Sequence, residues 1–167
     1  MLWKDRIVKR LEKIKGDRTV KDFIEDLRRQ GKDVYSYGKF CAVVYGGNIT
    51  LTEKFLNLLR ELGFTEEEMQ DIVVDAIKHR YGLKESKKEI RKALREANSV
   101  DPNQFIRENV AALRRFFDSG QLHRMKTEKR RMRVSAAMRI YKALGRKALP
   151  TIFKLTLPDE YVRLFAT

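Results

Sequence analysis

Tyr37, Lys39 and Tyr45 stand in the short run SYGKFCAVVYGG, from Ser36 to Gly47. Phenol and ammonium groups at helical spacing are chemistry for phosphate oxygens and base edges. Ser36 is an N-cap type of residue, Phe40, Val43 and Val44 give the run an apolar inner face, and Gly46-Gly47 closes it. Tyr37, Lys39, Ala42 and Tyr45 are then the outward residues, with Ser36 at the start. Lys39 falls in the first helical turn, where a cation opposes the helix dipole unless an anion sits there. A phosphate or a guanine edge supplies one. Between 36 and 47 there is no Arg, Asn or Gln, the types that make the commonest bidentate base contacts. Readout is therefore modest, or shared with Arg28, Arg29, Gln30 and Lys32 just before the run. The plain alternative is a short surface helix that happens to carry tyrosines and a lysine.

A second set of cations lies further on. His123 to Arg133 holds Arg124, Lys126, Lys129, Arg130, Arg131 and Arg133, the densest basic run in the chain. Such a run contacts phosphates without regard to sequence, each contact steepening the salt dependence by about one unit of log K. A solvated face that keeps the protein in solution is the plain reading. A membrane surface or an acidic protein partner is a lesser one.

Other chemistry is poorly represented. There is no GxxxxGK[ST] loop, no GxGxxG and no HExxH. His79 and His123 have no partner at ligand spacing and are expected at the surface. Glu66-Glu67-Glu68 complements a helix N-terminus rather than forming a metal cluster. Asp71 and Asp75, four apart on one face, are expected to be solvated rather than catalytic. Cys41, the single cysteine, is expected to be half-buried; alone it makes no intramolecular disulfide. The expectation is a non-enzyme with no cofactor and no metal.

The totals agree with an anionic partner. The 167 residues hold 37 Lys and Arg against 23 Asp and Glu, a net +14, and the sequence pI is about 10.0. That meets the basic-footprint criterion for nucleic-acid binding. Residues 1–65 carry net +5, 66–119 are neutral and 120–167 carry net +9, so the positive field has two sources. A hydrophobic fraction of 43% can build a core, in one ordinary domain or two small ones. Met1-Leu-Trp-Lys-Asp runs straight into charge, unlike a signal peptide. No apolar run nears the roughly 18 residues of a spanning helix. The expectation is a soluble protein of the reducing cytoplasm, with no membrane partner.

Helical periodicity dominates and strand signals are poor, so the fold class expected is all-α. Trp3, Ile7, Leu11 and Ile14 form one stripe, broken at Gly16-Asp17. Thr19 caps a second helix with Val20, Phe23, Ile24 and Leu27 inward, ending at Gly31. A fourth, after the run at Ser36, starts at Thr50 and carries Leu51, Phe55, Leu58, Leu59 and Leu62 to Gly63. Thr65 and Glu68 make a capping signature for a fifth, with Met69, Ile72, Val73, Ala76 and Ile77, stopping near Gly82. Beyond it come Ile90, Leu94 and Ala97, then Asp101-Pro102 opening a helix with Ile106, Val110, Leu113 and Phe117 that ends at Ser119-Gly120. Val134, Ala137, Met138, Tyr141 and Leu144 follow, and the apolar stretch Leu149 to Thr167 is read as one or two short helices packed on the core. The domains expected are 1–82 and 83–167.

Thr19, Phe23-Ile24 and Leu27, then Ser36, Phe40, Val43 and Gly46, then Ile49-Thr50-Leu51 through Leu62-Gly63-Phe64 and the acidic start after Thr65, resemble the lambda-repressor-like (xenobiotic-response-element, or Cro/C1 type) helix-turn-helix domain. The resemblance covers residues 5–77. It implies a five-helix bundle followed here by additional packed helices. It departs from that pattern between Leu27 and Ser36, where the family has a tight turn. Either helix two is a turn longer, or Gly31 to Tyr35 is an inserted loop. Residues 83–167 carry no such resemblance.

The function expected is sequence-specific binding of double-stranded DNA by a transcriptional regulator, as a homodimer through the family habit of dimeric binding. The apolar tail is one candidate for the dimer contact. The alternatives are a structural protein that binds RNA or DNA without strong sequence preference, using mainly 124–146, and an antitoxin-like protein-interaction module.

Overall fold

The computed structural model describes residues 2–45, 51–129 and 131–166, and these are helices and turns with no strand among them. The chain divides into two compact units, Met1–Arg80 and Tyr81–Thr167.

In the first unit α1 (Trp3–Lys15), α2 (Val20–Arg29) and α3 (Tyr37–Val44) pack against one another. They are followed by α4 (Glu53–Glu61) and α5 (Glu66–Tyr81). The caps of α2 and α5 are those the sequence indicates. Thr19 accepts from the Asp22 N–H, and Thr65 and Glu68 hold each other's backbone N–H groups at 3.2 and 3.0 Å. Trp3, Ile7, Leu11, Phe23, Ile24, Leu27, Phe55, Leu58, Leu59, Ile72 and Val73 form the core, with Trp3 edge-on to Phe55 at 5.7 Å.

Several expectations are corrected. Ile14, assigned to the inner stripe of α1, is exposed in the last turn of that helix, and only Trp3, Ile7 and Leu11 of the stripe are buried. Thr50 lies outside the described residues; α4 starts at Glu53, with Thr52 at the N-cap making no side-chain cap bond. The Thr52 hydroxyl is instead 3.0 Å from the Tyr35 hydroxyl. Leu56, not assigned to the inner face, is fully buried.

The second unit contains α6 (Lys87–Glu96), α7 (Pro102–Glu108), α8 (Val110–Leu113), α9 (Ser119–Thr127), α10 (Val134–Leu144), α11 (Leu149–Thr156) and α12 (Asp159–Arg163). The central element is α11, which touches α6, α7, α10 and α12. Phe153, Leu157, Tyr161, Val162 and Leu164 are buried. The apolar tail therefore packs inside this unit, as expected.

The helix expected from Asp101 to Ser119 is two helices. Asn109 leaves helical geometry at φ −122° and ψ 20°, and its amide donates to the Phe105 carbonyl at 2.8 Å. A side chain that bonds nearby backbone competes with the helical ladder in this way. Ser119-Gly120 is a beginning, not an end: Asp118 and Gln121 form a capping box that starts α9. In α10 the buried positions are Ala137 and Ile140, while Val134, Met138, Tyr141 and Leu144 are half-buried.

Candidate nucleic-acid interface

The Ser36 hydroxyl accepts from the Lys39 N–H at 3.4 Å and starts α3. Phe40, Val43 and Val44 are buried against the bundle, which braces the helix from behind. At 100° per residue, Gly38 and Ala42 then fall at the middle of the outer face, with Lys39 on one flank and Tyr37, Cys41 and Tyr45 on the other. Ser36, Tyr37, Gly38, Lys39, Ala42 and Tyr45 are all exposed, and Cys41 is half-buried. Nothing lies within 4 Å of where a Gly38 side chain would project. The result is a low strip of backbone between an ammonium and two phenols, a surface another molecule can approach closely.

The phenols are tethered. The Tyr37 hydroxyl is raised above its ordinary value of 10.0, chiefly by hydrogen bonding to Cys41 one turn on. Tyr45 packs edge-on against Phe40 at 5.9 Å, and burial is the main cause that raises its hydroxyl. Both keep their protons at neutral pH and so remain donors.

The cations around α3 are not equivalent. Arg29 is held by Asp26 at 2.7 Å and Glu25 at 3.7 Å, and Lys32 by Glu61 at 3.5 Å. Arg28 and Lys39 are exposed and make no ion pair among the described residues. Gln30 is exposed at the end of α2. Exposed pairs are worth little, so Arg29 and Lys32 can exchange a carboxylate for a phosphate at small cost.

The connection from α2 to α3 is a loop, not an extra helical turn. Helix α2 ends at Arg29, Gly31 takes φ +82°, and the Lys32 N–H closes on the Leu27 carbonyl at 3.0 Å. The loop is anchored rather than solvated. Val34 and Tyr35 are 2% and 3% exposed, and Asn57 donates to the Asp33 carbonyl at 2.9 Å. Val34 and Tyr35 thus fix where α3 starts.

The basic run in the second unit is not one helix face. Arg124 and Lys126 are on α9, whereas Lys129, Arg131 and Arg133 follow on an extended stretch before α10; Arg130 lies outside the described residues. Arg124, Lys129, Arg131 and Arg133 are exposed, and Lys126 is half-buried. Four hydrogen bonds hold the end of α9 and the stretch in place. Asn103 donates to the Met125 and Glu128 carbonyls at 2.8 and 3.0 Å, Arg107 to the Lys126 carbonyl at 2.9 Å, and Met132 to the Leu155 carbonyl at 2.8 Å. Sequence reading missed Asn103 and Arg107, since nothing local marks a side chain that bonds backbone about twenty residues away. The box from Asp118 to Gln121 was readable and would have placed α9.

Asp75 is the other correction. It is 6% exposed, not solvated, and accepts from the Trp3 N–H at 2.8 Å. Asp71 is exposed, as are His79 and His123. Among the described residues no three His, Cys, Asp or Glu side chains gather where they could hold a metal ion. No helix among them is long and apolar enough to cross a membrane.

Compared with protein-family models, with curated proteins and with solved structures, the chain matches none.

Proposed function

We propose that the protein binds double-stranded DNA in the manner of a helix-turn-helix regulator, with α3 in the major groove. One observation carries this reading. Helix α3 is braced on its inner side by buried Phe40, Val43 and Val44, and on its outer side presents Lys39, Tyr37 and Tyr45 around a low Gly38–Ala42 strip. With its side chains an α-helix is about 10–12 Å across, which fits a major groove about 12 Å wide. Lys39, together with Arg28 and the exchangeable Arg29 and Lys32, supplies phosphate contacts. The lambda-repressor-like arrangement of α1 to α5, a role in transcription and a dimeric bound form belong to the same proposal.

A second reading is favoured by the stretch from Arg124 to Arg133. Its exposed cations are held in position by Asn103 and Arg107, and the last 48 residues hold most of the excess charge. A surface of that kind contacts DNA or RNA with little regard to sequence.

Selection of bound duplexes from a random pool, followed by fluorescence anisotropy at two salt concentrations, separates the two. A recovered motif supports reading by α3, and half-sites about one helical turn apart support a dimer. Salt-sensitive binding without a motif transfers the function to the basic stretch. No binding at low salt overturns both.

A further inference from the structure

In the second unit residues of α9, α10 and α11, with Phe117, Glu128, Arg131 and Met132, line a half-open cavity of about 150 Å³. The apolar part of its lining comes from Phe117, Met125, Met132, Ala136 and Leu155, and Gln121 adds an amide. Apolar cavities of about this size hold a molecule as large as benzene, and methionines adapt their shape to what they enclose. Three guanidiniums, of Arg124, Arg131 and Arg139, also line it, against the one carboxylate of Glu128. Arg139 is a fixed wall: its guanidinium stacks on the Phe117 ring at 4.5 Å and donates to the Phe116 carbonyl at 3.0 Å. Arg124 and Arg131 are different. Both are exposed and neither makes an ion pair among the described residues. The site therefore joins a ring-sized apolar space to two uncommitted, bidentate anion binders at its mouth.

We propose that this cavity binds a small organic anion: one ring-sized apolar body bearing a single carboxylate, sulfonate or phosphate. The ring displaces water from among Met125, Met132 and Leu155, and the anion pairs with Arg131 and Arg124. Neither half suffices. A bare anion leaves the apolar space empty, and a neutral ring leaves the guanidiniums solvated. The inference needs no nucleic acid and is independent of reading by α3, but it shares Arg124 and Arg131 with the second reading above.

The test uses the full chain labelled with ¹³C at its methionine methyls and titrated with benzoate. The expected result is saturable movement of the Met125 and Met132 signals, with half-saturation near about 1 mM or below. Met69, buried in the first unit, stays still. Benzyl alcohol and acetate each bind at least about tenfold more weakly, and Arg131→Gln and Arg124→Gln each weaken benzoate about tenfold. Both arginines are exposed, so an unchanged circular dichroism spectrum and thermal unfolding curve report an intact fold in the variants. Three outcomes overturn the proposal: no saturable movement, benzyl alcohol binding as well as benzoate, or benzoate binding unchanged in both variants.

Discussion

The Asp75 carboxylate accepts a hydrogen bond from the backbone N–H of Trp3 at 2.8 Å, across 72 residues of chain. Trp3 is the first residue of α1, and Leu2 before it has no side chain that can cap. The first N–H groups of any helix lack partners within it, and a carboxylate also suits the positive end of the dipole. Asp75 on α5 therefore performs for α1 the task that Thr19 and Ser36 perform for their own helices. The Trp3 ring meanwhile packs on Phe55 of α4, so the start of α1 is fixed to two other helices at once.

Removing that acceptor leaves a buried N–H unpaired. Asp75→Ala should destabilise the first unit by about 2 kcal/mol. Asp75→Asn keeps an oxygen acceptor and should lose less than half of that. Urea unfolding followed by the Trp3 fluorescence measures both, since Trp3 is the single tryptophan. An Asp75→Ala midpoint equal to the parent's would show that the contact does not support the helix.

The loop before α3 gives a second prediction. Val34→Ala removes two buried methyl groups and should cost about 2 kcal/mol. Tyr35→Phe should cost about 1 kcal/mol, the net worth of the bond to Thr52. Burial raises the Tyr35 hydroxyl above 10.0, and the Thr52 bond only partly offsets this. The folded value thus lies above the unfolded one. Its contribution to stability is whole below pH 10 and is lost as pH rises through the folded value. Urea midpoints taken on either side of pH 10 should fall more steeply for the parent than for Tyr35→Phe; parallel curves would remove Tyr35 as the cause.

What a sequence shows of such a molecule is what neighbours in the chain decide. Thr19, Ser36 and Thr65 cap helices through residues three positions on, and these were legible. So were the inner faces of α2, α3 and α5, which repeat at helical spacing. Asp75 was not, because its partner is 72 residues away, and the spacing to Asp71 suggested only a solvated face. Val34 and Tyr35 sit in a stretch too short to show any period. The break at Asn109 was hidden because Ile106, Val110, Leu113 and Phe117 keep helical spacing across it. At the candidate interface the outward residues of α3 were legible from the same period. The pairing of Arg29 and Lys32 with acids was not, since it depends on Glu61 of α4 as well as on near neighbours.

Glu68 makes an acid-side prediction. Its carboxylate takes the Thr65 N–H at 3.0 Å and lies 3.2 Å from Arg10 and 3.9 Å from Arg6. The Thr65 backbone bond is the largest cause that holds it below its ordinary 4.5, with the two arginines adding to it. A lowered folded value means a contribution that is whole above pH 4.5 and is lost as pH falls through the folded value. Glu68→Gln should therefore be less stable than the parent near pH 6, with the gap closing as pH falls below 4.5 and through the folded value. Guanidinium chloride would screen the pair, so the comparison belongs in urea. A gap that stays constant with pH would assign the loss to packing instead.

The two sets of cations predict different failures of nucleic-acid binding. Lys39→Glu combined with Tyr37→Ala changes exposed side chains, so thermal unfolding should match the parent. Affinity for a selected duplex should fall by at least about tenfold at low salt, because one phosphate contact is replaced by repulsion. Affinity for unrelated duplexes should fall much less. Neutralising Arg131 and Arg133 should do the opposite: all duplexes weaken alike, and the slope of log K against log salt becomes shallower by about 0.9 for each phosphate no longer neutralised. Anisotropy titrations of the selected and an unrelated duplex, repeated over a salt series, read both effects. If the α3 variant binds its selected site like the parent, the strip between Lys39 and Tyr37 is not the reader, and the exposed cations after α9 must carry the binding alone.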